Sequence, residues 1–204
     1  MSDAGTAPVH VIDDDDDARD SLAFLLKRVK LPVEVYASAA AFLEVAPSAA
    51  GVVVTDVRMP EMDGLELTVR LKEMGVALPV IVMTGHGDIP LAVEAMKAGV
   101  VDFIEKPFEG ERMLNAIRAA FSRQGPDGAH DEERADYLHR IETLSSRERQ
   151  VLDGLVAGKA SKVIARDLDI SPRTVEVYRA NVMTKTKARS LSELVRMAIR
   201  AGVA

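Results

Sequence analysis

The chain of 204 residues contains no cysteine. That excludes disulfides, cysteine-ligated zinc and iron–sulfur clusters, and it fits a reducing compartment. Long apolar runs are also missing: none approaches the roughly 18–20 residues of a membrane span. The opening Met1-Ser2-Asp3-Ala4-Gly5 lacks the basic and apolar regions of a signal peptide. These absences make the cytoplasm the expected location. There is no internal repeat, and no low-complexity tract beyond the acidic run Asp13–Asp17. What is present is a hydrophobic fraction of 48%, enough for a buried core and too much for wholesale disorder. The length suits one large domain or two ordinary ones.

The net charge of −6 conceals an asymmetry. Residues 1–123 carry 20 acids and 12 bases, a net of −8, and residues 124–144 carry 6 acids and 2 bases, a net of −4. Residues 145–204 carry 6 acids and 12 bases, a net of +6. An acidic part joined to a basic part implies different partners, and nucleic acid suits the second.

Short β-rich runs at 9–12, 33–36, 52–55, 79–83 and 101–104 alternate with helical stretches at 16–29, 38–45, 64–73, 88–98 and 109–121. Three of the runs (9–12, 52–55 and 79–83) are almost continuously apolar, as strands buried on both faces should be. The alternation predicts an α/β fold, a doubly wound five-stranded parallel sheet in the order 2-1-3-4-5. Gln124-Gly125-Pro126-Asp127-Gly128 has linker chemistry, and an amphipathic helix over 131–143 follows, with Tyr137, Ile141 and Leu144 at helical spacing. Beyond Ser145 the pattern is all helical. The expected organisation is a domain over 1–123, a linker with a helix over 124–143, and a small all-α domain over 144–204.

Ligands of an open α/β sheet bind at the carboxyl ends of its strands. Asp13 and Asp14 follow the first run, Asp56 the third, Thr84 the fourth and Lys106-Pro107 the fifth. Three carboxylates crowded together repel, and a hard divalent cation relieves this. Magnesium suits a few carboxylates, retained waters and phosphoryl oxygens. Asp56 is the best nucleophile candidate, since an aspartate can accept phosphate as an acyl phosphate. Lys106 would hold a phosphoryl oxygen and Thr84 would donate to another. Taken singly, each residue has a plainer reading: Asp56 as a turn or cap, Lys106 as a surface lysine, Asp13–Asp17 as a solvated helix start. The run also opens like a calcium loop, but Ala18 stands where glycine is needed and Phe24 where a carboxylate is needed. Calcium fails.

Asp13-Asp14, Asp56-Val57-Arg58-Met59-Pro60 with Asp63-Gly64, Thr84-Gly85-His86 and Lys106-Pro107-Phe108 together resemble the signature set of response-regulator receivers, over about residues 8–121. The resemblance implies that Asp13, Asp14, Asp56 and the backbone carbonyl of Arg58 hold Mg2+. It implies that Asp56 takes phosphate from a sensor histidine kinase, and that Thr84 and Phe103 form a switch pair, although Phe103 equally suits a core position. Arg58 and His86 would tune phosphoryl lifetime, and Lys106-Pro107 would be a cis bond.

In the basic part, Ser145 and Glu148 have capping-box spacing before an apolar run. A short helix at 161–168, a turn at 169–171 and a longer helix from Pro172 to about Lys187 make a helix-turn-helix, with Ser171 as cap. The polar side of the longer helix offers Arg173, Thr174, Glu176, Arg179, Asn181 and Lys185 for bases and phosphates. The plainer reading is a helical interaction domain with a basic face. Leu144-Ser145-Ser146-Arg147-Glu148, Gly158-Lys159, Lys162 and Ile170-Ser171-Pro172-Arg173-Thr174-Val175 resemble the LuxR-type DNA-binding domain, over about 144–201. By position the resemblance adds Lys162 to the DNA contacts, beside Thr174, Glu176, Arg179 and Lys185. Ser161 departs from a common asparagine and Thr186 from a usual leucine or methionine.

A receiver joined to a LuxR-type output resembles the NarL/FixJ family, and the strings 84–99 and 101–108 narrow the likeness to FixJ-type regulators. That likeness implies a transcriptional activator of oxygen-regulated nitrogen-fixation or microaerobic genes, with a FixL-like haem kinase as partner. Further partners are double-stranded promoter DNA and RNA polymerase. A phosphorylated homodimer would form through Ile89, Val93, Lys97 and Val101. An alternative is a regulator of another signal with the same architecture. A magnesium-dependent phosphohydrolase fits less well, because such enzymes carry a second aspartate where Arg58 stands, so the chain is not expected to be an enzyme. A non-DNA adaptor is the remaining rival.

Overall fold

The computed structural model describes residues 7–85, 89–122 and 130–203. Five parallel strands, β1 (Val9–Ile12), β2 (Val33–Tyr36), β3 (Val52–Asp56), β4 (Val80–Thr84) and β5 (Asp102–Glu105), form one sheet in the order β2-β1-β3-β4-β5. This is the predicted topology. Every residue of β1, β3 and β4 is buried, which is why these strands read as unbroken apolar runs.

The crossovers are α1 (Asp16–Arg28), α2 (Ala39–Leu43), α3 (Gly64–Glu73), α4 (Ile89–Ala98) and α5 (Gly110–Ser122). Met113, Ala116, Ile117 and Ala120 recur at helical spacing on α5. They pack with Leu22 and Leu26 of α1 against Val9, Val11, Val52, Val54, Ile81, Met83 and Ile104 of the sheet. The second helical stretch is shorter than its apolar pattern suggests. It ends at Leu43, and a 3-10 turn at Ala46–Ser48 follows; Pro47 has no N–H to return to the Leu43 carbonyl, so the α ladder cannot continue through it.

The other helices are α6 (His130–Glu142), α7 (Ser146–Val156), α8 (Ser161–Leu168), α9 (Pro172–Thr186) and α10 (Leu191–Ala201). By its contacts the chain divides into two compact units, 1–86 with 98–125 and 87–97 with 126–204, so α4 falls with the C-terminal unit. In that unit α7, α8 and α9 pack on one another, and α6 packs on α9 and α10. The expected capping box is present: Glu148 N–H donates to Ser145 Oγ at 3.3 Å, and Ser145 N–H donates to Glu148 Oε2 at 2.7 Å. α8 ends on Asp169 in the left-handed region (φ 54°), and Ser171 then caps α9 by accepting from Thr174 N–H at 3.1 Å. α6, read from sequence as part of a linker, buries Tyr137 and Ile141 among these helices and sends Arg140 to the Thr186 carbonyl at 3.0 Å.

Candidate functional site

In a parallel sheet all carboxyl ends lie at one edge, and the register here aligns Ile12 with Thr55, Asp56 with Met83 and Thr84 with Glu105. The ladder runs on past the strands: Val57 N–H donates to the Met83 carbonyl at 2.8 Å and Lys106 N–H to the Thr84 carbonyl at 2.6 Å. These bonds fix the directions in which Asp56 and Lys106 leave the sheet. Gly64 opens α3 against the strand end, where a Cβ would come within 2.3 Å of the Asp56 carbonyl oxygen. Glycine is required by this close approach. The Lys106-Pro107 bond is cis.

Lys106 Nζ donates to Asp56 Oδ1 at 2.6 Å and to Asp13 Oδ2 at 2.8 Å. Asp56 Oδ2 accepts the backbone N–H of Arg58 at 2.6 Å, and Asp13 Oδ1 accepts that of Asp15 at 3.0 Å. Asp13 and Asp56 are buried and Thr84 is wholly so, while Arg58 is exposed and Phe103 is half-buried. Burial pushes the Asp56 carboxyl above the ordinary aspartate range. Lys106 and the Arg58 N–H pull it back only in part, and Asp13 adds to the rise. Burial alone would lower Lys106, but its bonds to Asp13 and Asp56 more than reverse this and hold the ammonium.

Asp14 is exposed, and among the described residues no three carboxylates or histidines gather as a metal site. Asp13 and Asp56 both pair with the Lys106 ammonium, while Asp15 spends its carboxylate capping α1 through Asp17 N–H and Ala18 N–H. The donor set fits magnesium: two buried hard carboxylates, Asp13 and Asp56, share a single cation. His86 lies outside the described residues. Of the expected dimer surface, Val93 is buried and Lys97 exposed on α4, Val101 is partly buried, and Ile89 opens α4 with its side chain outside the described set.

On the helix-turn-helix, Lys162, Arg173, Glu176, Asn181 and Lys185 are exposed, and Thr174 and Arg179 are partly so. Thr174 shares a 2.8 Å hydrogen bond with Ser171, next to the cap of α9. Glu176 accepts from Ser161 Oγ at 2.7 Å, with Arg179 at 3.5 Å. Lys185 is already engaged, donating to the buried Glu148 at 2.7 Å. Val177, not singled out from the sequence, is 55% exposed on α9. The available signal was its position, four residues from both Arg173 and Asn181, where an apolar β-branched residue breaks a polar face.

A model of the response regulator receiver domain matches residues 9–118, and one of the luxR family of bacterial regulatory proteins matches residues 142–198. Sheet, acidic site and basic helices thus define a two-component response regulator with a DNA-binding output. The chain belongs to the FixJ-type response regulators. It is 60% identical over 198 residues to the transcriptional regulatory protein FixJ of Azorhizobium caulinodans, covering 97% of this chain and 94% of that one. Identity to FixJ of Bradyrhizobium diazoefficiens is 54% over 196 residues, 96% of each chain. The crystal structure of full-length FixJ from B. japonicum aligns with a TM-score of 0.57 at 52% identity, covering 97% of this chain and 98% of that one. No helix of the described residues is long and apolar enough to cross a membrane.

Proposed function

We propose that the chain is a cytoplasmic, phosphorylation-controlled transcriptional activator and not an enzyme, with Asp56 as its phosphoacceptor. The observation that carries this reading is the buried Asp56 carboxylate paired with Lys106 at a strand end. In the transfer, an Asp56 oxygen attacks the phosphorus of a kinase phosphohistidine. The new O–P bond replaces the P–N bond, whose electron pair returns to the imidazole. Lys106 then trades one carboxylate oxygen for a phosphoryl oxygen, and Thr84 donates its hydroxyl to another. Receiver domains generally bind Mg2+ at this site. Asp13, Asp14, Asp56 and the Arg58 carbonyl would hold it, and when bound it would neutralise charge on the transferring group.

The phosphoryl charge biases a two-state element. The switch pair Thr84 and Phe103 responds, and the chain dimerises through Ile89, Val93, Lys97 and Val101. Two copies of α9 then reach half-sites about one helical turn apart. Promoter DNA and RNA polymerase are the downstream partners. The FixJ-type likeness, which the FixJ names of the relatives support, implies a FixL-like haem kinase as phosphodonor and nitrogen-fixation or microaerobic genes as targets. The domain boundaries stay at 1–123, 124–143 and 144–204 as the functional division.

Phosphotransfer profiling against purified sensor kinases tests the reading. One haem kinase should label the wild-type chain within minutes and leave Asp56→Asn unlabelled. Equal labelling of Asp56→Asn would remove Asp56 from the account.

A further inference from the structure

Glu176 is the odd member of the exposed face of α9. Its neighbours Arg173, Arg179 and Asn181 suit phosphates and base edges, whereas a carboxylate facing a polyanion weakens binding to every sequence unless it meets a donor. The side chain is also held in place. Ser161, at the start of α8, donates its hydroxyl to Glu176 Oε1 at 2.7 Å, and Arg179 Nη1 lies 3.5 Å from Oε2. Each carboxylate oxygen keeps a lone pair for a further donor.

The major-groove code decides what such an acceptor selects. Guanine presents two acceptors and thymine an acceptor and a methyl group. Adenine offers its N6 donor beside the N7 acceptor, which repels a carboxylate. Cytosine alone presents an amino donor, at N4, with no acceptor beside it. We propose that Glu176 is a specificity-determining residue that accepts from the N4 amino group of a cytosine in each half-site. Ser161 is the positioning residue that fixes the carboxylate. This deepens the DNA-binding reading of the domain and rests on it.

The competing account makes Glu176 a tether between α8 and α9, useful because the Ala160 cap of α8 makes no side-chain hydrogen bond. A tether affects stability without any base preference. The test is selection from a randomised duplex pool with the full-length chain treated with a small-molecule phosphodonor, comparing wild type, Glu176→Gln and Ser161→Ala. Wild type should enrich sites with cytosine at one position per half-site. Exchanging that cytosine for thymine should weaken binding about tenfold or more. Glu176→Gln should move the preference to adenine, since glutamine pairs with both N6 and N7. Ser161→Ala should narrow the cytosine preference several-fold while leaving the consensus and the thermal midpoint in place.

An unchanged consensus in Glu176→Gln, with affinity shifted equally at all sites, overturns the proposal and leaves DNA binding intact. A full cytosine preference in Ser161→Ala overturns the positioning role. If wild type shifts no duplex at all, the DNA-binding reading falls and this inference falls with it.

Discussion

Lys106 sits on two buried carboxylates at once, so its removal leaves Asp13 and Asp56 facing each other without a counter-charge. Breaking a buried pair costs more than the pair contributes, because an uncompensated charge remains. Lys106→Met is therefore expected to lose about 2–3 kcal/mol of stability and most of its phosphoryl uptake. Millimolar magnesium should raise the thermal midpoint of this variant more than that of wild type, as a second cation takes over the carboxylates. Thermal melts with and without the metal check both statements. Val177 makes the residue-scale prediction for the output domain. An exposed valine between Arg173 and Asn181 suits a thymine methyl group. Replacing single thymines by deoxyuracil should weaken wild-type binding several-fold at one operator position, and Val177→Ala should be indifferent to that change.

At the scale of elements, α6 shows where pattern reading stops. Its amphipathic face was legible from Tyr137 and Ile141, but no local signal says what covers such a face. The structure answers with α9 and α10, and it leaves the Tyr137 hydroxyl buried without a partner among the described residues. Burial drives that hydroxyl up to about 12. Tyr137→Phe should stabilise the C-terminal unit by about 1 kcal/mol, since an unpaired buried hydroxyl costs at least that much, and a melting curve reads it.

The α7–α9 junction gives the pH prediction. The Lys185 ammonium, with the Ser145 N–H, holds the Glu148 carboxyl below the ordinary glutamate range. A carboxyl lowered in the folded state contributes stability above its unfolded pKa and loses it as pH falls through its folded pKa. The stability gap between wild type and Glu148→Gln should be about 1–3 kcal/mol near neutrality. It should close as the pH drops below about 4. The box itself was readable as S-x-x-E, whereas the reach of Lys185 across 37 positions was not, because it depends on how α7 crosses α9.

At the scale of the molecule, the sheet order and the strand-end residues were legible because apolar runs and turn chemistry alternate with helical spacing along the first 120 or so residues. Asp13, Asp56 and Lys106 converge as the strand ends require. Asp14, next to Asp13, stands exposed to solvent. The charge asymmetry carried the two-part organisation, but the unit to which α4 belongs was not written in any local pattern.

The central claim is that phosphate on Asp56 governs DNA binding by the basic helices, and a titration of labelled promoter duplex by the full-length chain tests it most directly. With phosphodonor and magnesium, wild-type affinity should rise about tenfold or more, within the usual range of coupling between two sites, and Asp56→Asn should show no rise. An equal rise in Asp56→Asn, or tight binding by that variant in both conditions, would contradict the account.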